Sequence, residues 1–225
     1  NVCSKFIVVF IIFGAFLERT GIADFFINVA NSLLGSLPGG PAKVAVVASA
    51  LEGMVSGSSV ANTVGSGSVT IPLMKRTGYD PEFAAAAEAS ASTGGQIMPP
   101  FLMADYVQIP YSQIALKAIL PAVLYFAGIF VAVHLEAKKL GLRGLSREEL
   151  PKLRPLLKKV YLLLPLVLLV YLVSTSTRSI QYAAAIAIVA AIAVSMFDKD
   201  SRITPKRLLE ALAAGGQGTI TVAAA

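Results

Sequence analysis

Tryptophan is missing from this sequence, and cysteine and histidine each occur once. A lone Cys3 excludes an internal disulfide and any paired-cysteine metal spacing. His134 has no His, Cys or carboxylate cluster around it, so neither a metal centre nor a catalytic triad is expected there. The G-x-x-x-x-G-K-[ST] phosphate loop is absent, which argues against ATP hydrolysis. Gly53-Met54-Val55-Ser56-Gly57 does not fit the G-x-S-x-G nucleophile pattern, and no enzyme is expected. Charge is scarce as well: Asp, Glu, Lys and Arg make up 14% of the residues, against about 25% in soluble domains.

The composition is instead 56% hydrophobic with a mean hydropathy of +0.73. Long apolar runs with so few charges imply several membrane spans and exclude a soluble fold. With no tryptophan, tyrosine and phenylalanine must form the interfacial belts. The net charge of +6 comes from basic residues grouped in a few loops, a pattern of membrane topology rather than of nucleic-acid binding.

The ends read as cut. Asn1 is not a start methionine, and Ala225 stops inside a small-residue run, so the expectation is an internal fragment of a longer membrane protein. Phe6–Leu17 is the tail of a span, followed by a turn at Glu18–Gly21 and a helix over Ile22–Leu37. Pro38-Gly39-Gly40-Pro41 breaks the chain. Ala42–Val55 and Val60–Met74 are apolar arms too short to cross a bilayer, which needs roughly 20 residues. With a polar tip between them they read as a re-entrant hairpin over residues 42–74. Glu82–Ser92 is rich in alanine and helix-forming, then stops at Thr93-Gly94-Gly95. With Phe101–Ile109 it reads as one discontinuous span over 82–109. Residues 1–135 thus hold a transport-domain part, including a full span at Ile114–Leu135 with a kink expected at Pro121. Residues 136–159 are a basic loop in which Ser146–Glu149 resembles a capping box and predicts an amphipathic helix. Residues 160–213 are a helical pair, Val160–Val173 and Ile180–Phe197, with an amphipathic stretch after it, and 214–225 begin a further helix.

Charge sets the orientation. The loop at 136–159 carries Lys138, Lys139, Arg143, Arg147, Lys152, Arg154, Lys158 and Lys159, and the stretch after Phe197 carries Lys199, Arg202, Lys206 and Arg207. The connection between the two spans that separate them carries only Arg178, so the basic face is cytoplasmic by the positive-inside rule. The chain is placed as a multi-pass membrane protein with its basic loops on the cytoplasmic face.

The two polar breaks, Ser56-Gly57-Ser58-Ser59 and Ser92-Thr93-Gly94-Gly95, organise this reading. Non-helical backbone at membrane depth is tolerated only where protein or a water-filled cavity satisfies it. A hard cation takes oxygen ligands, and unwound carbonyls and helix C-terminal ends can provide them within a membrane. The expectation is that the breaks meet near the midplane and hold a cation through Ser56, Gly57, Ser59, Asn62, Ser92, Thr93, Gly94 and Gly95. Ser58, Ser59, Asn62 and Gln96 are the candidates for contacting substrate, beside helix N-termini whose partial positive charge suits a carboxylate. The alternative is that serine and glycine here only permit close helix packing. Glu88 lies one helical turn before the second break, where it can tune the site, pair with a cation or sit near the interface.

The segments FGAFLERTG, PGGPAKVAVVASAL, VSGSSVAN, TIPLMKRTGY and ASTGGQIMPP, in this order between Gly14 and Tyr111, resemble the large permease subunit of TRAP (tripartite ATP-independent periplasmic) transporters. The resemblance is to the fused permease type associated with TAXI binding proteins, and it is weaker after Tyr111. It departs from the family pattern in a shorter segment after Pro100 and in Glu52, where the family has an apolar residue. The resemblance implies an all-α polytopic membrane protein, one half of an inverted-repeat transporter. It also implies sodium as the coupling ion with no organic cofactor, and organic anions such as dicarboxylate or glutamate as substrate. The partners it implies are a periplasmic TAXI-type substrate-binding protein and a small membrane subunit or its fused equivalent. The rival classes are a non-transporting membrane scaffold and an ion channel.

Overall fold

The computed structural model describes residues 8–56, 59–97, 109, 111–146, 148–175, 179–197 and 202–224. Every regular element among them is helical. In chain order these are α1 (Val8–Arg19), α2 (Ile22–Leu34), α3 (Gly40–Ser56), α4 (Ser59–Gly65), α5 (Gly67–Arg76), α6 (Pro81–Gly94) and α7 (Tyr111–Lys139). A five-residue α8 (Leu153–Leu157), a 3-10 turn (Val160–Leu163), α9 (Leu164–Ser174), α10 (Ile180–Ser195) and α11 (Pro205–Ala224) follow. The helices fall into two compact units, one of residues 1–22, 101–114 and 159–225, the other of 23–100 and 115–158.

The second unit contains both polar breaks. Gly39 has a φ of 67°, and a Cβ there would lie 2.4 Å from the Ala137 Cβ, so the Pro-Gly-Gly-Pro turn needs glycine on both counts. α3 then starts with Pro41 in its first turn, where a missing N–H costs nothing. Its Val44 and Ala48 pack against Ile27 and Ala30 of α2. Its Ala42 and Ala45 form a core with Ala84, Ala87 and Ala91 of α6, and side chains this small let the helices approach closely. Pro81 opens α6 after an extended Asp80. Tyr79, just before it, is buried, stacks on Phe83 and donates to the Val133 carbonyl at 3.3 Å. Burial first, then the Glu136 charge, pushes the Tyr79 hydroxyl up to about 12, so it remains a neutral donor.

α7 includes Gln113–Lys139, the one helix among the described residues long and apolar enough to cross a membrane. Pro121 lies within it, and Leu116, Leu120 and Leu124 on its flank are exposed. Ile22–Leu34, Val160–Ser174 and Gln181–Ser195 are shorter apolar helices, so the several full spans expected from hydropathy become one full-length helix and three short ones.

In the other unit α1 packs against α10 and α11, and α9 against α10. Phe16, Ile203 and Ala211 form its core, with Ile12 and Ile188 around it. Gly215 allows the tight crossing of α1 and α11, because a Cβ there would lie 3.1 Å from the Ile12 Cα. Arg19 and Glu210 close the same contact with a 2.9 Å ion pair.

Two boundaries differ from the sequence reading. Glu149 Oε2 does accept bonds from the Ser146 amide and hydroxyl, at 3.1 and 2.9 Å, but they close a turn. The helix waits until Leu153, beyond Pro151, because proline restricts the residue before it away from helical geometry. The expected restart at residue 214 is also absent, and α11 runs unbroken from Pro205 to Ala224.

Candidate cation site

The first arm, α3, ends at Ser56, and the returning arm starts as α4 at Ser59. The return is two helices meeting at Ser66, whose own dihedrals stay helical (φ −64°, ψ −39°). The Ser66 amide bonds the Asn62 carbonyl at 3.0 Å, and the Thr70 amide bonds the Ser66 carbonyl at 2.9 Å, so the arm continues almost without interruption. Both returning helices pack on α3, and α6 packs on all three.

The end of α6 meets the end of α3 at two glycines. A Cβ on Gly53 would lie 2.2 Å from the Gly95 Cα, and a Cβ on Gly95 would lie 2.6 Å from the Gly53 Cα. Real carbon contacts run at about 3.5–4.0 Å, so the two backbones touch and neither position admits a side chain. Gly94 is held by α7 from another side, with a Cβ there 2.5 Å from Tyr125 Cε1. Beside this contact Gln96 Nε2 donates to Ser59 Oγ at 3.1 Å, which ties the two breaks directly.

The expected site residues divide accordingly. Ser59 and Gln96 bridge the breaks. Asn62 is 2% exposed; its Nδ2 donates to the Ser49 carbonyl at 2.9 Å, while its buried Oδ1 has no hydrogen-bond partner among the described residues. Ser92 is fully buried. Thr93 is exposed and donates to the Ala89 carbonyl of its own helix at 2.8 Å, so its hydroxyl is not brought toward the first break. Ser92, Thr93 and Gly94 remain helical; unwinding begins at Gly95 because the alanine-rich helix carries through them. Their carbonyls accept from the amides of Gly95, Gln96 and Ile97 at 3.1, 3.1 and 3.0 Å. Ser56 is the last residue of α3. Gly57 and Ser58 lie outside the described residues, as does the outer half of the expected broken helix except Ile109.

Two C-terminal helix ends, those of α3 and α6, therefore converge, and each carries the partial negative charge of its last carbonyls. Ser59 and Ser92 carry hydroxyl oxygens and Asn62 an amide oxygen, neutral oxygens of the kind that suit a hard cation. No group of three His, Cys, Asp or Glu that could hold a metal occurs among the described residues. The orphaned Asn62 oxygen is buried without a partner, an arrangement that costs about 1–3 kcal/mol unless something binds it.

The sequence reading missed the polar cluster beneath the contact. Glu88 is fully buried, and its carboxylate accepts from Ser66 at 2.6 Å, Thr70 at 2.6 Å, Ser49 at 2.9 Å and Ser92 at 3.2 Å. Gly67 makes room for it, since a Cβ there would lie 3.1 Å from Glu88 Cγ. Ser66/Thr70 and Glu88/Ser92 are each four apart, the spacing that puts two side chains on one helix face, and that signal was available.

Comparison with known proteins gives one family. The profile of the family described as "Tripartite ATP-independent periplasmic transporter, DctM component" matches residues 2–225. The chain is 29% identical over 209 residues to the C4-dicarboxylate TRAP transporter large permease protein DctM of Pseudomonas aeruginosa, covering 89% of this chain and 49% of that protein. It is 30% identical over 143 residues to the isethionate TRAP transporter permease protein DctMQ of Oleidesulfovibrio alaskensis, covering 62% of this chain and 22% of that protein. It is 32% identical over 136 residues to the sialic acid TRAP transporter permease protein SiaT of Haemophilus influenzae, covering 59% and 22%. The chain thus spans at most about half the length of these relatives.

Proposed function

The chain belongs to the DctM-component family of tripartite ATP-independent periplasmic transporters, and from that premise we propose that it is part of the transport unit of a sodium-driven secondary permease. The substrate class is an organic anion, dicarboxylate or glutamate-like, handed over by a periplasmic binding protein of the TAXI type. Family members are integral membrane proteins; the finer placement proposed here is multi-pass in a cytoplasmic membrane. A small membrane subunit, separate or fused, completes the assembly.

The observation that supports this reading is the convergence of two helix C-terminal ends at Gly53 and Gly95, with Asn62, whose Oδ1 has no hydrogen-bond partner among the described residues, on the returning arm bonded to the Ser49 carbonyl of α3. In secondary transporters, half-helix C-terminal ends and unwound carbonyls coordinate the coupling cation. Here Ser59, Asn62 and Ser92, with carbonyls at the ends of α3 and α6, would hold sodium. Sodium at the contact would draw the hairpin tip and the end of α6 into one rigid group. That group then moves as a body between outward- and inward-facing positions, carrying the anion with it. The arms α3 and α4–α5 act as a re-entrant hairpin in this account.

A non-transporting scaffold would also use touching glycines. Membership of a transporter family favours the transporter. The test is uptake of radiolabelled dicarboxylate or glutamate into proteoliposomes holding the full-length transporter with its binding protein. A sodium gradient should drive uptake, and replacing sodium by choline should abolish it. Uptake unchanged in choline contradicts the reading, and conductance without the binding protein indicates a channel.

A further inference from the structure

We propose that Glu88 is a positioning residue for the coupling cation: its buried carboxylate is the fixed negative charge that the cation at the paired breaks neutralises. The inference rests on the sodium reading given above and adds what sets the affinity.

Glu88 is 0% exposed, and no lysine or arginine pairs with it among the described residues. Its surroundings are hydroxyls. Oε1 accepts from Ser66, Ser49 and Ser92, and Oε2 accepts from Thr70. Hydroxyl dipoles solvate a carboxylate but leave its net charge in place, and a buried charge is costly unless an opposite charge balances it. The hydroxyl oxygens stand 2.6 to 3.2 Å from the carboxylate and carry no net positive charge, so the compensating charge must come from outside this set of hydroxyls.

Its contacts lead to the break contact by two routes. One is direct: Ser92, which bonds Oε1, lies in the last turn of α6, just before Gly95. The other passes through Ser49, whose hydroxyl bonds Oε1 and whose carbonyl holds the Asn62 amide, leaving Asn62 Oδ1 free to take a cation. Ser66 ties the same network to the returning arm, because its hydroxyl also reaches the Asn62 carbonyl at 2.8 Å. A cation that enters between the breaks therefore meets Ser92 and Asn62 already oriented through Glu88 and Ser49.

Glu88→Gln separates this role from a structural one. Two of the four hydroxyls have a backbone carbonyl to turn to when the amide replaces the carboxylate: Ser66 to Asn62 at 2.8 Å and Thr70 to Ser66 at 3.0 Å. The glutamine should therefore be accommodated. The experiment measures the thermal unfolding of the purified full-length transporter during a titration with sodium chloride, with choline chloride holding ionic strength. The readout is the sodium concentration that gives half of the maximal stabilisation. Wild type should be stabilised by sodium. Glu88→Gln should unfold in choline at the wild-type temperature or above it, having lost an unbalanced charge, and should need roughly tenfold more sodium or respond to none. Glu88→Asp, which keeps the charge, should retain the sodium response. A Glu88→Gln protein with the wild-type sodium dependence overturns the inference. So does one that cannot fold while Glu88→Asp folds, since the charge would then serve the fold itself. If wild type shows no sodium response, the sodium reading of the breaks fails, and this inference fails with it.

Discussion

Gly53→Ala tests the contact on which the site depends. The new Cβ would lie 2.2 Å from the Gly95 Cα. Carbon contacts settle at about 3.5–4.0 Å, so one backbone must retreat by about 1.5 Å. Overpacking of this kind costs about 1–3 kcal/mol. Alanine in place of glycine inside a helix returns about 1 kcal/mol, leaving a net loss of up to about 2 kcal/mol. The retreat matters more than the loss. The Gln96–Ser59 bond is 3.1 Å long and cannot span a further separation of that size. The oxygens at the two breaks then no longer face one cation. The assay is the sodium dependence of uptake in proteoliposomes, with thermal unfolding measured in parallel. Gly53→Ala should lower the unfolding temperature moderately and raise the sodium needed for half-maximal uptake by on the order of tenfold. Gly128→Ala is the control, because a Cβ there meets nothing within 4 Å, and it should leave the sodium dependence alone. A Gly53→Ala transporter with wild-type stability and sodium dependence refutes the contact.

Other consequences can be checked separately. Asn62→Leu loses the 2.9 Å bond to the Ser49 carbonyl but also removes a buried orphan oxygen, so the sodium-free stability should change by no more than about 1 kcal/mol while the stabilisation by sodium disappears; calorimetry with and without sodium measures both. Glu210→Ala breaks an ion pair with Arg19 in which each side chain is 40% exposed, and chemical denaturation should register less than about 1 kcal/mol. The Ser146 hydroxyl and amide hold the Glu149 carboxyl below its ordinary value of 4.5, with Arg76 adding to the effect. A carboxylate lowered in the folded state adds stability above its unfolded value and loses it as pH falls through the folded one. Protection of the Ser146 amide, its exchange rate relative to the unstructured rate at the same pH, should therefore hold at neutral and mildly acid pH and be lost only below the usual carboxylate range. In Glu149→Gln that acid transition should vanish.

Much of the secondary structure was legible in the sequence because strong local signals agree with the fold. Pro-Gly-Gly-Pro at 38–41 fixes where α3 begins, and Asp80-Pro81 fixes where α6 begins. The apolar runs at 114–135 and 180–197 became most of α7 and the whole of α10. Helix ends were harder. Thr93 and Gly94 read as the stop of the helix, yet the alanines before them hold it to Gly94. Ser146 and Glu149 formed the bonds of a helix cap without a helix, because a cap pattern does not say what Pro151 will allow. In the site, the bond between Ser59 and Gln96 joins residues far apart in the chain, and no local pattern fixes such a distance. Ser49 was passed over as one hydroxyl in an apolar helix; its importance exists only once α6 brings Glu88 beside it.

The most direct test is cryo-electron microscopy of the full-length transporter at a resolution that shows ions, in sodium and in choline. With sodium, density should lie among Ser59, Asn62 and Ser92 near the Gly53–Gly95 contact, and in choline it should be absent. Breaks that stand apart, or an empty contact in saturating sodium, would contradict the account.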